Sequence, residues 1–230
     1  MKNGTLYAER LKKTFTKLRQ GAGAVTQPDP DDPLRRLAIG VLGSEASEEE
    51  AEKAVGRLLA TAADWNDIRV STAVELHRIV GDRIPNALER CRQLLSALQS
   101  VYDRENRMSL ERLKTLGRRE ARQYLEKLGG VGEFAIGSVV LWSLGGHAIP
   151  VNSKMHDALR KADLVNPEAS RDEVQAFLER NISAAHAKTF CLLMRGFKGD
   201  ERASSGEKSP RRAARPAAKS TGKRSKKAAG

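Results

Sequence analysis

Gly129-Gly130-Val131-Gly132 is the stretch whose residue types and spacing could do chemistry. It separates two apolar-periodic segments: one ends at Leu128, and the other runs on to about Leu144. Glycines at 130 and 132 permit a tight turn that a Cβ would obstruct. Such a turn leaves backbone N–H groups free at the start of the second segment, where a helix dipole is positive. That is an anion site, and a phosphate oxygen fits it without any base being read. Val131 can anchor the loop on the core. Beyond Gly145-Gly146, the segment Ile149-Pro150-Val151-Asn152 leads into another helix, which Asn152 can cap. Taken alone, the pattern also suits an ordinary turn between two helices.

The elements that must position this stretch read as helices throughout. Leu6, Tyr7, Leu11, Phe15 and Leu18 form a helical stripe over residues 5–19, with Lys12, Lys13, Lys17 and Arg19 largely off it. Those lysines are either a solvated face or a second phosphate-contacting surface. Residues 21–33 hold three prolines and interrupt the chain. Asp31 or Asp32 can cap the next helix, from Leu34 to Val41, with Pro33 at its first position. Ser47 with Glu50, and Ser170 with Glu173, match capping boxes. Asp64 to Asp67 reads as a break. Ser71 or Thr72 caps a helix through Val80, Pro85 starts one that runs past Leu98, and Ser109 caps a short helix ending at Gly117. Arg118 to Leu128 enters the glycine turn. Helices over about 153–162, 172–180 and 186–194 follow. No window alternates with period two, so the fold class is all-α.

Composition sets further bounds. The chain has 230 residues and a net charge of +12. Residues 201–230 carry ten Lys and Arg against Glu201 and Glu207, so most of the excess lies in a segment too polar to fold alone. Polyanions are its natural partners, and counterion release favours DNA. Cys91 and Cys191 are too few for a disulfide framework or a four-thiolate metal site, so no metal and no cofactor is expected. No apolar run reaches membrane-spanning length, and no signal-peptide core is visible. The expected location is the cytoplasm, in association with the nucleoid.

The motif from Leu125 to Asp157 resembles the helix-hairpin-helix of the endonuclease III-like DNA glycosylase superfamily (HhH-GPD). Leu128-Gly129-Gly130-Val131-Gly132 is similar to the family's L-P-G-V-G, with Gly129 replacing Pro. Ile149-Pro150-Val151-Asn152 is similar to its I-x-V-D. Leu34 to Ser47 resembles the first barrel helix and the lesion-facing loop, and Leu192 to Gly196 resembles the last helix. The resemblance covers roughly residues 30–198 and is specific over 125–157. It implies two subdomains. A six-helix barrel would span 37–146. Residues 147–200, with the N-terminal helix and linker of 1–36, would form the second, and 201–230 would be a disordered basic tail. Duplex DNA would lie across the groove between them, with a nucleotide turned into the cleft and the protein acting as a monomer.

The chemistry implied by the resemblance is incomplete. The family's Schiff-base lysine falls on Phe134, which cannot form an imine, so a lyase step through that position is excluded. The family's aspartate falls on Asn152, which keeps the capping ability and lacks the charge. Asp157, Glu133 and Glu45 are candidate substitute acids, with Asp157 expected to face elsewhere. Lys154 stands near a family His and is read as a phosphate contact, alongside Gly129, Gly130, Val131 and Gly132. No cysteine follows Cys191, so the family's iron–sulfur cluster is absent. Three functions remain open. The first is a DNA-binding member of the base-excision-repair superfamily with lost or weakened catalysis. The second is an active monofunctional glycosylase using another acid. The third is an architectural DNA- or RNA-binding protein.

Overall fold

The computed structural model describes residues 4–23, 25–27 and 31–199, so the expected tail at 201–230 lies outside the described residues. Among the described residues the chain forms eleven α-helices, one 3-10 turn and no strand. Two helices make the centre, α2 (Pro33–Gly43) and α8 (Glu133–Trp142). Each is buried over nearly its whole length, and α8 is buried continuously from Ala135 to Trp142. A helix apolar on every side belongs inside a helical body. The two approach very closely where Gly40 meets Ala135. A Cβ on Gly40 would lie 2.6 Å from Ala135 Cα.

Around this pair stand α3 (Glu48–Thr61), α5 (Ala73–Val80), α6 (Ala87–Glu105) and α7 (Arg118–Glu126). Packing runs from α2 to α3, α6 and α8, from α3 to α5, from α5 to α6, and from α7 to α8. On another side α11 (Ala184–Arg195) packs against α8, and α1 (Gly4–Gly21) against α11. Helix α9 (Ser153–Lys161) meets α10 (Arg171–Asn181). No helix is long and apolar enough to cross a membrane.

Local chemistry starts most helices where the sequence indicates. Asp32 accepts from the Leu34 and Arg35 amides, with Pro33 at the first helical position. Reciprocal capping boxes close at Ser47/Glu50, Thr72/Glu75 and Ser170/Glu173. Several expectations are corrected. Asp64 to Asp67 is not a break: the Asp64 carboxylate accepts from the Asn66 and Asp67 amides and starts α4 (Trp65–Val70), which packs on α6. The helix after Pro85 begins at Ala87, because Asn86 sits in the left-handed region at φ +52°. The segment after Ser109 is the 3-10 turn Glu111–Thr115, not an α-helix. Helix α8 ends at Trp142, two residues early. On α1 the expected stripe holds at Tyr7 and Leu11, but Leu6 is 45% exposed.

Candidate nucleic-acid interface and cleft

The chain leaves α7 through two tight bonds, Lys127 N–H to the Tyr124 carbonyl and Leu128 N–H to that of Leu125. The hairpin then splits into residues needed for its shape and a residue that shape does not need. Gly130 has φ +72°, and a Cβ there would lie 2.3 Å from the Gln93 carbonyl oxygen of α6. Gly130→Ala is therefore expected to cost about 3 kcal/mol, combining left-handed strain with a backbone clash. Chemical denaturation checks this, and a loss below about 1 kcal/mol would contradict it. Gly129 donates its N–H to Ser100 Oγ at 3.0 Å, a bond proline could not make. A Cβ on Gly129 would also crowd Ser96 Oγ at 2.6 Å, so α6 accounts for a residue without a side chain here.

Gly132 is different. Its backbone is extended (φ −95°, ψ 169°), and a Cβ would meet nothing within 4 Å. It precedes α8, which has no side-chain cap. The first bonds to the Gly132 carbonyl come from the Ala135 and Ile136 amides, which leaves the Glu133 and Phe134 N–H groups without a protein acceptor among the described residues. Two such donors beside open space at Gly132 are the geometry that an anion-binding helix start requires.

Two hollows flank Phe134. The smaller, about 330 Å³, is bordered by the hairpin residues Gly130 to Glu133 and by Arg90, Gln93 and Arg171. The larger, about 650 Å³, contains both Phe134 and Asn152, so the fold brings together the two positions that the sequence singled out. Its walls include Trp142, Met155, Met194 and Phe197, and Lys154 stands at its edge. Asp157 also lines it, contrary to the expectation that it would face elsewhere; Lys154, Met155, Asp157, Ala158 and Lys161 of α9 border the same opening.

Asn152 is 8% exposed, and its amide is committed at both ends. The oxygen accepts from the Met155 amide at 2.8 Å, capping α9. The nitrogen donates to the Ala46 carbonyl at 2.9 Å. The adjacent Ser153 N–H donates to the Ser44 carbonyl at 3.0 Å. Asn152 and Ser153 thus clamp the loop between α2 and α3. An aspartate would retain the cap and lose the donor that the Ala46 carbonyl requires.

The other sequence candidates are engaged in pairs. Glu45 accepts from Asn86 at 2.9 Å and pairs with Arg90 at 2.7 Å. Glu133 pairs with Arg122 and accepts from Gln175 at 3.1 Å. Lys154 is 56% exposed, and its Nζ lies 2.9 Å from Glu50, which also closes the Ser47 box. Lys154 and Ser47 together hold the Glu50 carboxyl down at about 2. A depressed pKa contributes stability that is full above the ordinary 4.5 and lost as pH falls toward 2. Glu50→Gln is expected to remove part of the acid sensitivity in that window, checked by acid titration of unfolding; an unchanged acid profile would show that the pair is idle.

An ion network centred on a buried arginine has no complete signature in the sequence. Arg36, 3% exposed, pairs with Asp31 and Glu48, and Arg195 pairs with Glu48 at 2.6 Å. The two guanidinium groups lie 5.6 and 5.2 Å from the Trp142 ring centroid. The hint was the i, i+4 placement of Glu48 and Glu52 on α3, right after the loop that follows α2; nothing indicated their distant partner Arg195. Cys191 borders the larger hollow, and burial pushes its thiol up, against the thiolate a nucleophile needs. Among the described residues no cluster of His, Cys, Asp or Glu is placed to hold a metal ion.

No family model matches the chain. An Arabidopsis thaliana protein bearing the name "Putative DNA glycosylase" is 23% identical over 160 residues, 69% of this chain and 54% of the relative. The match thus spans about half the length of that curated relative. Among solved structures, a non-covalent endonuclease III–DNA complex superposes with a TM-score of 0.64 at 19% identity, covering 83% of this chain and 85% of that one. The Clostridium acetobutylicum 8-oxoguanine glycosylase/lyase bound to double-stranded DNA gives 0.63 at 16% identity, covering 87% and 71%. A thermostable thymine-DNA glycosylase gives 0.58 at 15%, covering 84% and 87%. The chain therefore has the endonuclease III-like fold of the helix-hairpin-helix DNA glycosylases.

Proposed function

We propose that this protein binds duplex DNA by gripping phosphates at the start of α8, and that its base-excision chemistry is lost or strongly weakened. In this reading α2–α8 form the barrel subdomain. Helices α1 and α9–α11 form the second, and the duplex crosses the groove between them. The monomer is the binding unit. One observation carries the catalytic half: the Asn152 amide is bonded to Ala46 and Met155, so it serves as a structural clamp. Phe134 beside it offers no amine for an imine. The binding half is supported by the two free amides at Glu133 and Phe134 and the open space over Gly132.

A second reading rests on Asp157, which lines the same hollow as Asn152. It is an active monofunctional glycosylase in which this carboxylate supports base departure. A base-release assay over damaged and mismatched duplexes, run beside binding measurements, separates the two. Binding without release supports the first. Release that disappears in Asp157→Asn while binding persists supports the second. Absence of duplex binding in both would sink the proposal.

A further inference from the structure

The hairpin and the hollow leave α1 without a role. Its rotation is fixed: the Phe15 ring meets Phe190 edge-on at 5.5 Å, Arg19 bonds His186 at 3.0 Å, and Arg10 pairs with Asp163. With Leu11 turned inward, Lys13 and Lys17 project one turn apart from the outer face, and Lys12 projects from its flank. All three are exposed, and none forms an ion pair among the described residues, whereas Lys53, Lys114 and Lys154 each hold a carboxylate within 2.9 Å. Glu9 is the single acid of the helix.

Solvated lysines are ordinary; position sets these apart. Asp163, which Arg10 holds, lies two residues beyond Lys161. Lys161 and Lys198 both line the larger hollow, together with the acids Glu48, Glu49, Glu52 and Asp157. The chain at Gly199 runs so close to α9 that a Cβ would sit 2.9 Å from Lys161 Cβ. The Arg10–Asp163 pair thus ties the end of α9, two residues past Lys161, to α1, which carries the three lysines that are unpaired among the described residues.

We propose that Lys12, Lys13 and Lys17 form a second phosphate track, holding duplex DNA beyond the nucleotides at the hairpin. The inference rests on the DNA-binding reading above. Lys12 to Lys17 spans about 7.5 Å of helix axis. Phosphates of one strand recur about every 3.4 Å of duplex axis, so roughly two or three fall within reach. Lysines act as flexible point charges and need no base register. A bilayer surface fits less well, because an interfacial helix buries an apolar face and that of α1 is spent on α11, with Leu6 alone exposed.

The test is Lys12→Gln/Lys13→Gln/Lys17→Gln in the full chain, with Gly132→Val as a separate variant. Glutamine keeps the helix propensity of lysine. On a 30-base-pair duplex, the triple variant is expected to make the plot of log Kobs against log salt shallower by about 2 to 3, near 0.9 for each phosphate released. Its hydroxyl-radical footprint should shorten on one side, while Gly132→Val weakens binding and leaves the flank contact in place. An unchanged slope and footprint in the triple variant, with Gly132→Val still weakened, would overturn the track and leave the hairpin reading standing. A flattened slope with Gly132→Val indistinguishable from wild type would uphold the track and reject the hairpin. Loss of binding to phosphatidylserine vesicles with no change on DNA would also overturn it.

Discussion

Gly132→Val is expected to fold like the wild type and to bind duplex DNA roughly ten- to a hundredfold more weakly. The two halves of this result have separate causes. The extended backbone at Gly132 suits a β-branched residue, and the side chain enters open space, so the fold loses only a helix-start preference of about 1 kcal/mol or less. That space is where an anion must approach the Glu133 and Phe134 amides. Losing one hydrogen bond to a charged group costs about 1.5–3 kcal/mol, which sets the affinity range. Anisotropy on a labelled duplex, beside thermal melting, checks both halves. The contrast with Gly130→Ala is diagnostic: under the proposed function one glycine serves the fold, and the other serves the ligand. Equal loss of stability in both variants would show that the hairpin is only a turn.

Asn152→Asp is the second large effect, and it pulls two ways. The Ala46 carbonyl loses its donor and faces a carboxylate oxygen instead, a cost of about 1–3 kcal/mol in stability. The hollow gains a charge beside Phe134. A carboxylate about 4 Å from a forming cation is worth on the order of 4 kcal/mol at an effective dielectric of about 20. That corresponds to roughly a thousandfold in rate. A less stable protein that releases bases faster is the expected outcome.

Much of this was legible in the sequence because it is written locally. Asp32 with Pro33, Ser47 with Glu50, and Ser170 with Glu173 each start a helix through bonds spanning three residues. The tight turn that a Cβ would obstruct is found at Gly130 but not at Gly132, where a Cβ meets open space. The misreadings came where polar clusters serve two ends. Asp64 to Asp67 looked like a break and caps α4; Asn86, not Pro85, sets the start of α6. The site was half legible. Phe134 and Asn152 were singled out by the resemblance of residues 125–157 to the family motif, but the partner that defines Asn152, the Ala46 carbonyl, lies 106 residues away. The Arg36–Glu48–Arg195 network joins residues from three helices, and no local pattern carries it. Asp157 was misplaced for a similar reason: the hollow it lines is completed by residues of α3 and α11, distant in sequence, so α9 alone does not show which of its faces borders it.

The central claim is that the phosphate grip is intact while the chemistry beside it is not. Single-turnover base release by wild type and Asn152→Asp, over one panel of damaged and mismatched duplexes with binding measured in parallel, tests it most directly. The expected result is tight, salt-sensitive binding by both proteins, with release confined to the aspartate variant or far faster in it. Wild-type release at rates typical of repair enzymes, unimproved by the aspartate, would contradict it.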